Sequence, residues 1–139
     1  MRQLLKLFPQ FYILAMDVPA KLGIPDYEFR LIFGRTKIDY DPNKESHNRS
    51  KHSYSLESAV HILEQIMLPV DRVPPYMVSE AYMEKEEVRH MHMSIDDCGH
   101  VVLMVTTMRQ DETVRVISVR RAHENERQLF HQVTGYIRK

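Results

Sequence analysis

The sequence predicts an α+β fold: a small antiparallel β-sheet, made of a three-stranded meander plus an N-terminal strand or hairpin, packed with two N-terminal helices and one C-terminal helix. Three observations predict it. Period-two apolar alternation recurs near residues 27–40 and again over 88–120, with short turns between. Between these blocks Asp41-Pro42 opens a helical stretch that Pro69 closes. After Arg121, Leu129, Phe130 and Val133 recur at helical spacing. At 139 residues, 43% hydrophobic and 27% charged, the chain has the size and balance of one soluble domain.

The elements follow in order. Residues 1–25 read as an appendage, an apolar cluster (Leu4, Leu5, Leu7, Phe8, Phe11, Ile13, Leu14) broken by Pro9 and closed by Pro19, Gly23 and Pro25. A docked helix, a loose arm and a wrongly chosen start codon all fit it. A secretory leader does not: Pro9-Gln10 and Asp17 interrupt the apolar stretch, and no small-x-small cleavage site follows. Tyr27 to Phe33 and Lys37 to Tyr40 alternate about Gly34-Arg35, as a hairpin does. Asp41 is an N-cap with proline at the first helical position, and that polar helix runs to about His52. Ser55 caps a second helix carrying Leu56, Ala59, Val60, Leu63, Ile66 and Met67 on its core face. Residues 69–86 read as a long loop or irregular edge. Strands follow near Val88–Ser94, His100–Thr107 and Thr113–Arg120, then a helix near His123–Val133. All helices are expected on one face of the sheet.

Net charge is zero, which argues against a general nucleic-acid coat protein. The charge is nonetheless unevenly spread. Residues 115–139 hold six Lys/Arg against Glu124 and Glu126, whereas residues 71–99 hold three against seven Asp/Glu. Cys98 is the lone cysteine, so no internal disulfide forms and a reducing cytoplasm is the expected compartment. No apolar run approaches the roughly 20 residues that span a bilayer, so no membrane association is expected.

The basic residues cluster where regular elements end. Metal-free RNA cleavage uses the ribose 2′-hydroxyl as nucleophile; the protein removes that proton, stabilises charge on phosphorus and helps the 5′-oxygen leave. Lys51 and His52 close the first helix and are candidates for proton transfer. Arg89, Arg120 and Arg121 are candidates for transition-state stabilisation, and Lys44 and Arg115 for placing the RNA backbone. The bland readings are a Lys-His pair that complements a helix dipole and strand-end arginines paired with Glu87 or Glu126. A competing zinc reading uses His90 and His92, with His100 and nearby Cys98 if the Ile95–Gly99 turn pairs Ser94 with His100. The core face is then Met91, Met93, Val101, Leu103 and Val105, and the histidine face is half-exposed.

Asp41-Pro42-x-Lys44-x3-Asn48-x2-Lys51-His52, then Ser55-Leu56-x-Ser58-Ala59, resembles the opening of the BrnT family of bacterial toxins. Glu87-Val88-Arg89, Val114 through Ala122, and Glu126-Arg127 resemble its closing half. The resemblance covers roughly Lys37 to His131. It implies a RelE-like fold, a domain at 35–139 behind an N-terminal extension at 1–34, and a cytoplasmic endoribonuclease that needs no metal or cofactor and inhibits translation and growth. It also implies Asn48 as an RNA-binding position and a BrnA-like antitoxin that neutralises the toxin and provides the only link to DNA. Two positions depart from the family pattern: Ser53 stands where glycine is usual, and His123 where a small hydroxyl residue is usual. A toxin-like module that mainly binds a partner is the alternative.

Overall fold

A computed structural model describes residues 11–12, 37–67, 74–79, 81–109, 111 and 113–138. The elements are β1 (Phe11–Tyr12), β2 (Ile38–Tyr40), α1 (Pro42–His52), α2 (Leu56–Met67), β3 (Met77–Ser79), β4 (Tyr82–Glu84), β5 (Glu87–Ile95), β6 (Val101–Met108), β7 (Val114–Arg121) and α3 (Glu124–Thr134). The sheet runs β1-β3-β5-β6-β7-β2, with β4 also on β5. Among the described residues no helix is long and apolar enough to cross a membrane.

The two N-terminal helices, the meander and the C-terminal helix stand where the sequence places them. Asp41 caps α1 by accepting the Asn43 N–H at 2.9 Å. The Ser55 hydroxyl accepts the Ser58 N–H at 3.0 Å, and the Glu45 carboxylate, reaching across from α1, accepts the Leu56 and Glu57 N–H groups. Strands β5, β6 and β7 form an antiparallel meander with Ile95 opposite Val101 and Val102 opposite Arg121.

Four expectations are corrected. The sheet is mixed rather than antiparallel, because β2 pairs with β7 in parallel, Ile38 opposite Val114 and Tyr40 opposite Val116. The Tyr27–Phe33 arm of the expected hairpin, and Pro69, lie outside the described residues. Helices cover both faces: Leu56, Ala59, Leu63 and Ile66 of α2 pack on Val102, Met104, Val116 and Val119, whereas Leu129 and Phe130 of α3 pack on Met77, Met93 and Leu103. Alternation along β6 sends Val102 and Leu103 to opposite faces, so each face needs its own cover. The stretch at 69–86, expected as a long loop or irregular edge, holds two strands. Met77–Ser79 is a buried inner strand between β1 and β5, and Tyr82–Glu84 makes a hairpin with β5 through Lys85-Glu86. Both turn residues have positive φ, 50° and 65°, as a type I′ turn requires. No Asn-Gly signal marks that turn.

Finally, Ser94 pairs with Val102 rather than His100, and the histidine face is buried. His90 and His92 are fully buried; His92 bonds the Tyr76 hydroxyl at 2.7 Å through Nδ1 and Thr106 Oγ1 at 2.8 Å through Nε2. Burial pushes His90 down to about 4 and His92 well below the ordinary imidazole value, with His90 adding to the effect on His92.

Candidate active site: a cationic cleft between α1 and β7

α1 supplies one wall of a cleft of about 640 Å³. Lys44, His47, Asn48 and Lys51 sit at spacings of three and four residues, hence on one helical face, and all line it with His52. The floor comes from β7. A bulge shifts the register between Val105–Ser118 and Thr106–Val116, leaving Ile117 as the extra residue. As a result three consecutive residues, Val116, Ile117 and Ser118, reach the cleft, which a regular strand does not permit. Arg89 of β5, Arg115 of β7 and Lys85 of the β4–β5 turn complete the wall.

Asn48 is the pin that holds α1 against the sheet. β2 covers β7 only as far as Val116, and beyond it the Asn48 amide takes the place of a strand. Its Nδ2 donates to Val119 O at 3.0 Å and Tyr54 O at 2.7 Å, and its Oδ1 accepts the Val119 N–H at 3.3 Å. Both amide hydrogens and its oxygen are engaged and only 4% of its surface is exposed, so Asn48 holds α1 against the sheet from within the cleft lining.

His52 sits at the end of α1, half-buried. Burial first, then the charges of Lys51 and Arg120 and the His47 ring, lower its pKa below the ordinary value. Its imidazole is therefore neutral at pH 7, the state a general base requires. α1 can stop beside it because Ser53 adopts φ 61° and ψ 20°, donating its N–H to Arg49 O at 2.9 Å; the expected positive-φ turn is present without glycine.

The arginines are not free charges. Arg89 is held by Glu84 at 2.8 Å and Glu87 at 2.7 Å, and Arg115 by Asp39 at 3.0 Å. Arg120 forms a two-point pair with Glu126 at 2.8 and 3.0 Å. Burial opposes the charge on Glu126, yet Arg120 and the His123 N–H hold its carboxyl below the usual range. That same carboxylate accepts the His123 N–H at 2.7 Å, so α3 is capped without a hydroxyl at the N-cap. Among the described residues Lys44, Lys51, Lys85 and Arg109 form no ion pair, and they are the cleft's uncompensated cations. His47, Lys85, Arg109 and Ser118 were not foreseen. His47 was detectable as the residue between Lys44 and Lys51 on one helical face; the others depend on a turn and a bulge.

Arg121 does not join the cleft. It points to the neighbourhood of Tyr54 and His100, with its guanidinium 3.4 Å from His100 Nδ1. The His90–His92–His100 zinc set is likewise not assembled, since two members are buried in the sheet and the third sits in the β5–β6 turn. His100 instead lies with Asp96 and Cys98, one donor atom from each within 4.8 Å. The Asp96 carboxylate there is already engaged by the Cys98 and His100 N–H groups and the Tyr54 hydroxyl, and Arg121 adds a positive charge beside it. A cation is thus poorly matched to that cluster.

Comparison with known proteins adds the family. A crystal structure of the Brucella abortus ribonuclease toxin BrnT is 19% identical, covering 64% of this chain and 99% of that one with a TM-score of 0.44. No curated protein sequence matches. The family model for the ribonuclease toxin BrnT of type II toxin–antitoxin systems matches residues 40–126, a span that contains α1, the whole meander and the Arg120–Glu126 pair. The chain belongs to the BrnT family of ribonuclease toxins.

Proposed function

We propose that the protein is a metal-independent endoribonuclease that cuts within the α1–β7 cleft. The observation that carries this reading is His52 lining the cleft with Lys44, Lys51, Lys85 and Arg109, which among the described residues have no carboxylate partner. In the proposed step His52 takes the 2′-hydroxyl proton, and the 2′-oxygen attacks phosphorus. The phosphorus–O5′ bond breaks, and O5′ leaves with a proton from the Lys51 ammonium, giving a 2′,3′-cyclic phosphate and a 5′-hydroxyl. Arg89 and Arg120, oriented by their carboxylates, stabilise the added charge on the phosphoryl oxygens through their remaining N–H groups. Lys44 and Arg115 hold flanking phosphates, and Asn48 keeps α1 in place.

The proposed cellular role is inhibition of translation and growth from the cytoplasm, relieved by a BrnA-like antitoxin that is also the protein's connection to DNA. In this reading residues 35–139 are the toxin domain and 1–34 an extension. Induced expression with total RNA followed over time tests the nuclease. Growth arrest and RNA fragmentation are expected from the intact chain and not from His52→Ala, both shown folded by circular dichroism. The kcat/KM profile should carry an acid limb with its midpoint below 6.5, as His52 gains its proton. Equal RNA loss with both chains removes His52 from the mechanism. Intact RNA with both, alongside tight antitoxin binding, favours a partner-binding module.

A further inference from the structure

A second basic hollow of about 590 Å³ lies beyond the end of β7. Among the described residues, three arginines, Arg121, Arg127 and Arg138, and two histidines, His100 and His131, line it and no carboxylate does, whereas the cleft contains Asp41, Glu84 and Glu87. We infer that this hollow binds a nucleotide of single-stranded RNA next to the two that span the cut in the α1–β7 cleft, with its phosphodiester on Arg121 and Arg138 and its base against Tyr136 and Ile137. The inference rests on the ribonuclease reading and extends it to a second subsite.

The hollow is built rather than incidental. After α3, Gly135 turns the chain at φ 77°, and its N–H bonds His131 O at 2.8 Å. Residues 136–138 then fold back on the β5–β6 turn. The Tyr136 hydroxyl donates to Gly99 O at 2.6 Å, and its ring meets Phe130 edge-on at 6.0 Å. His131 Nδ1 lies 3.0 Å from Tyr136 O. Gly99 is needed for this seating: its φ is 83°, and a Cβ there would lie 2.8 Å from the Tyr136 hydroxyl. These contacts hold Arg138 at the rim, where its Nε donates to Cys98 O at 3.4 Å.

Neither Arg121 nor Arg138 forms an ion pair among the described residues, and the pairing of Arg127 is to the solvent-exposed Glu124. Ile137 is 68% exposed, an apolar surface the fold does not use. Cations beside an aromatic and an aliphatic platform are what an unpaired base and its phosphate require. The hollow also has the volume for one nucleotide. The hollow begins at the residue that follows Arg120 in β7. Arg120 is near enough to His52 to lower its pKa, and Arg121 opens the hollow.

The test uses the full chain and the double variant Ile137→Ser/Arg138→Ala, which alters two exposed side chains. Fluorescence anisotropy is read with non-cleavable 2′-O-methyl RNA, as an eight-nucleotide strand and as a dinucleotide. The variant should bind the longer strand about five- to tenfold more weakly, with a log Kd against log salt slope shallower by roughly 0.7. Dinucleotide binding should be unchanged, and cleavage of a long substrate should show a raised KM at constant kcat. Equal binding of the long strand by both proteins overturns the subsite. So does equal loss at both lengths, or a loss confined to antitoxin affinity. If the intact chain binds RNA with this length dependence but does not cut it, the subsite stands and the nuclease reading falls; if it binds neither strand, both fall.

Discussion

At the scale of single residues, two positions trade stability for geometry. Ser53 occupies the left-handed region in which a Cβ is disfavoured, and it does so to end α1 beside His52. Ser53→Gly should raise stability by about 0.5–1 kcal/mol, read as a higher urea midpoint. Arg120 and Glu126 have 25% and 9% of their side chains exposed, so each depends on the other for compensation. Arg120→Ala should cost about 2 kcal/mol by leaving the Glu126 carboxylate without its main partner. Arg120→Met/Glu126→Gln should recover most of that stability, because an amide oxygen still accepts the His123 N–H, without recovering RNA cleavage. If the double variant regains activity, Arg120 only holds α3 in place. These roles were partly legible in advance: Glu87 and Glu126 were the expected partners of the strand-end arginines, though which met which was open. That Glu126 also caps α3 was not, because the sequence does not reveal which carboxylate oxygen meets which backbone N–H.

At the scale of elements, the β4–β5 hairpin and the buried end of β5 carry the next predictions. Lys85-Glu86 fills a type I′ turn with two residues that disfavour positive φ, and it holds Lys85 at the cleft. Replacing the pair by Asn-Gly should raise stability by about 1 kcal/mol while weakening RNA binding, measured by thermal melting and anisotropy. Equal RNA affinity would mean that Lys85 contributes nothing to the cleft. The absence of a turn signal is why this hairpin reads as a loop: tertiary contacts between Tyr82, Arg89 and Glu84 impose the turn against local preference. In β5, His90 and His92 alternate as a solvated face would, but α2 and Tyr76 cover that face. Both imidazoles have lowered pKa values in the fold, so above about pH 6.5 they are neutral in folded and unfolded states alike. Below it the unfolded chain gains protons first. Stability should fall from pH 6.5 toward 4, by up to about 1.4 kcal/mol per pH unit per histidine. His92→Gln should flatten that slope in urea titrations; an unchanged slope would place the sensitivity elsewhere.

At the scale of the whole molecule, the sheet separates two kinds of surface. α2 and α3 close its faces with apolar side chains, while α1, β7 and the chain after α3 leave the cationic groups near one strand. The basic stretch at residues 115–139 supplies the arginines of the hollow, whereas the cleft's unpaired cations Lys44, Lys51, Lys85 and Arg109 lie outside it. RNA association should accordingly weaken steeply with salt even though the protein is neutral overall. A nearly flat salt dependence of Kd between 50 and 200 mM would contradict the cationic cleft as the binding surface.

The sequence by itself determined the local elements: the Asp41-Pro42 start of α1, its stop at Ser53, and the meander strands to within about a residue at each end. Each depends on backbone stereochemistry or side-chain period within a few neighbouring residues, which the order of residues states directly. Only the tertiary structure decided the parallel docking of β2 on β7, the division of the helices between two faces, and the burial of His90 and His92. Those outcomes rest on partners distant along the chain, such as Asn48 with Val119, 71 residues apart, and Asp39 with Arg115, 76 apart. Such pairs form when packing closes both faces of the sheet at once, and no local preference selects among them.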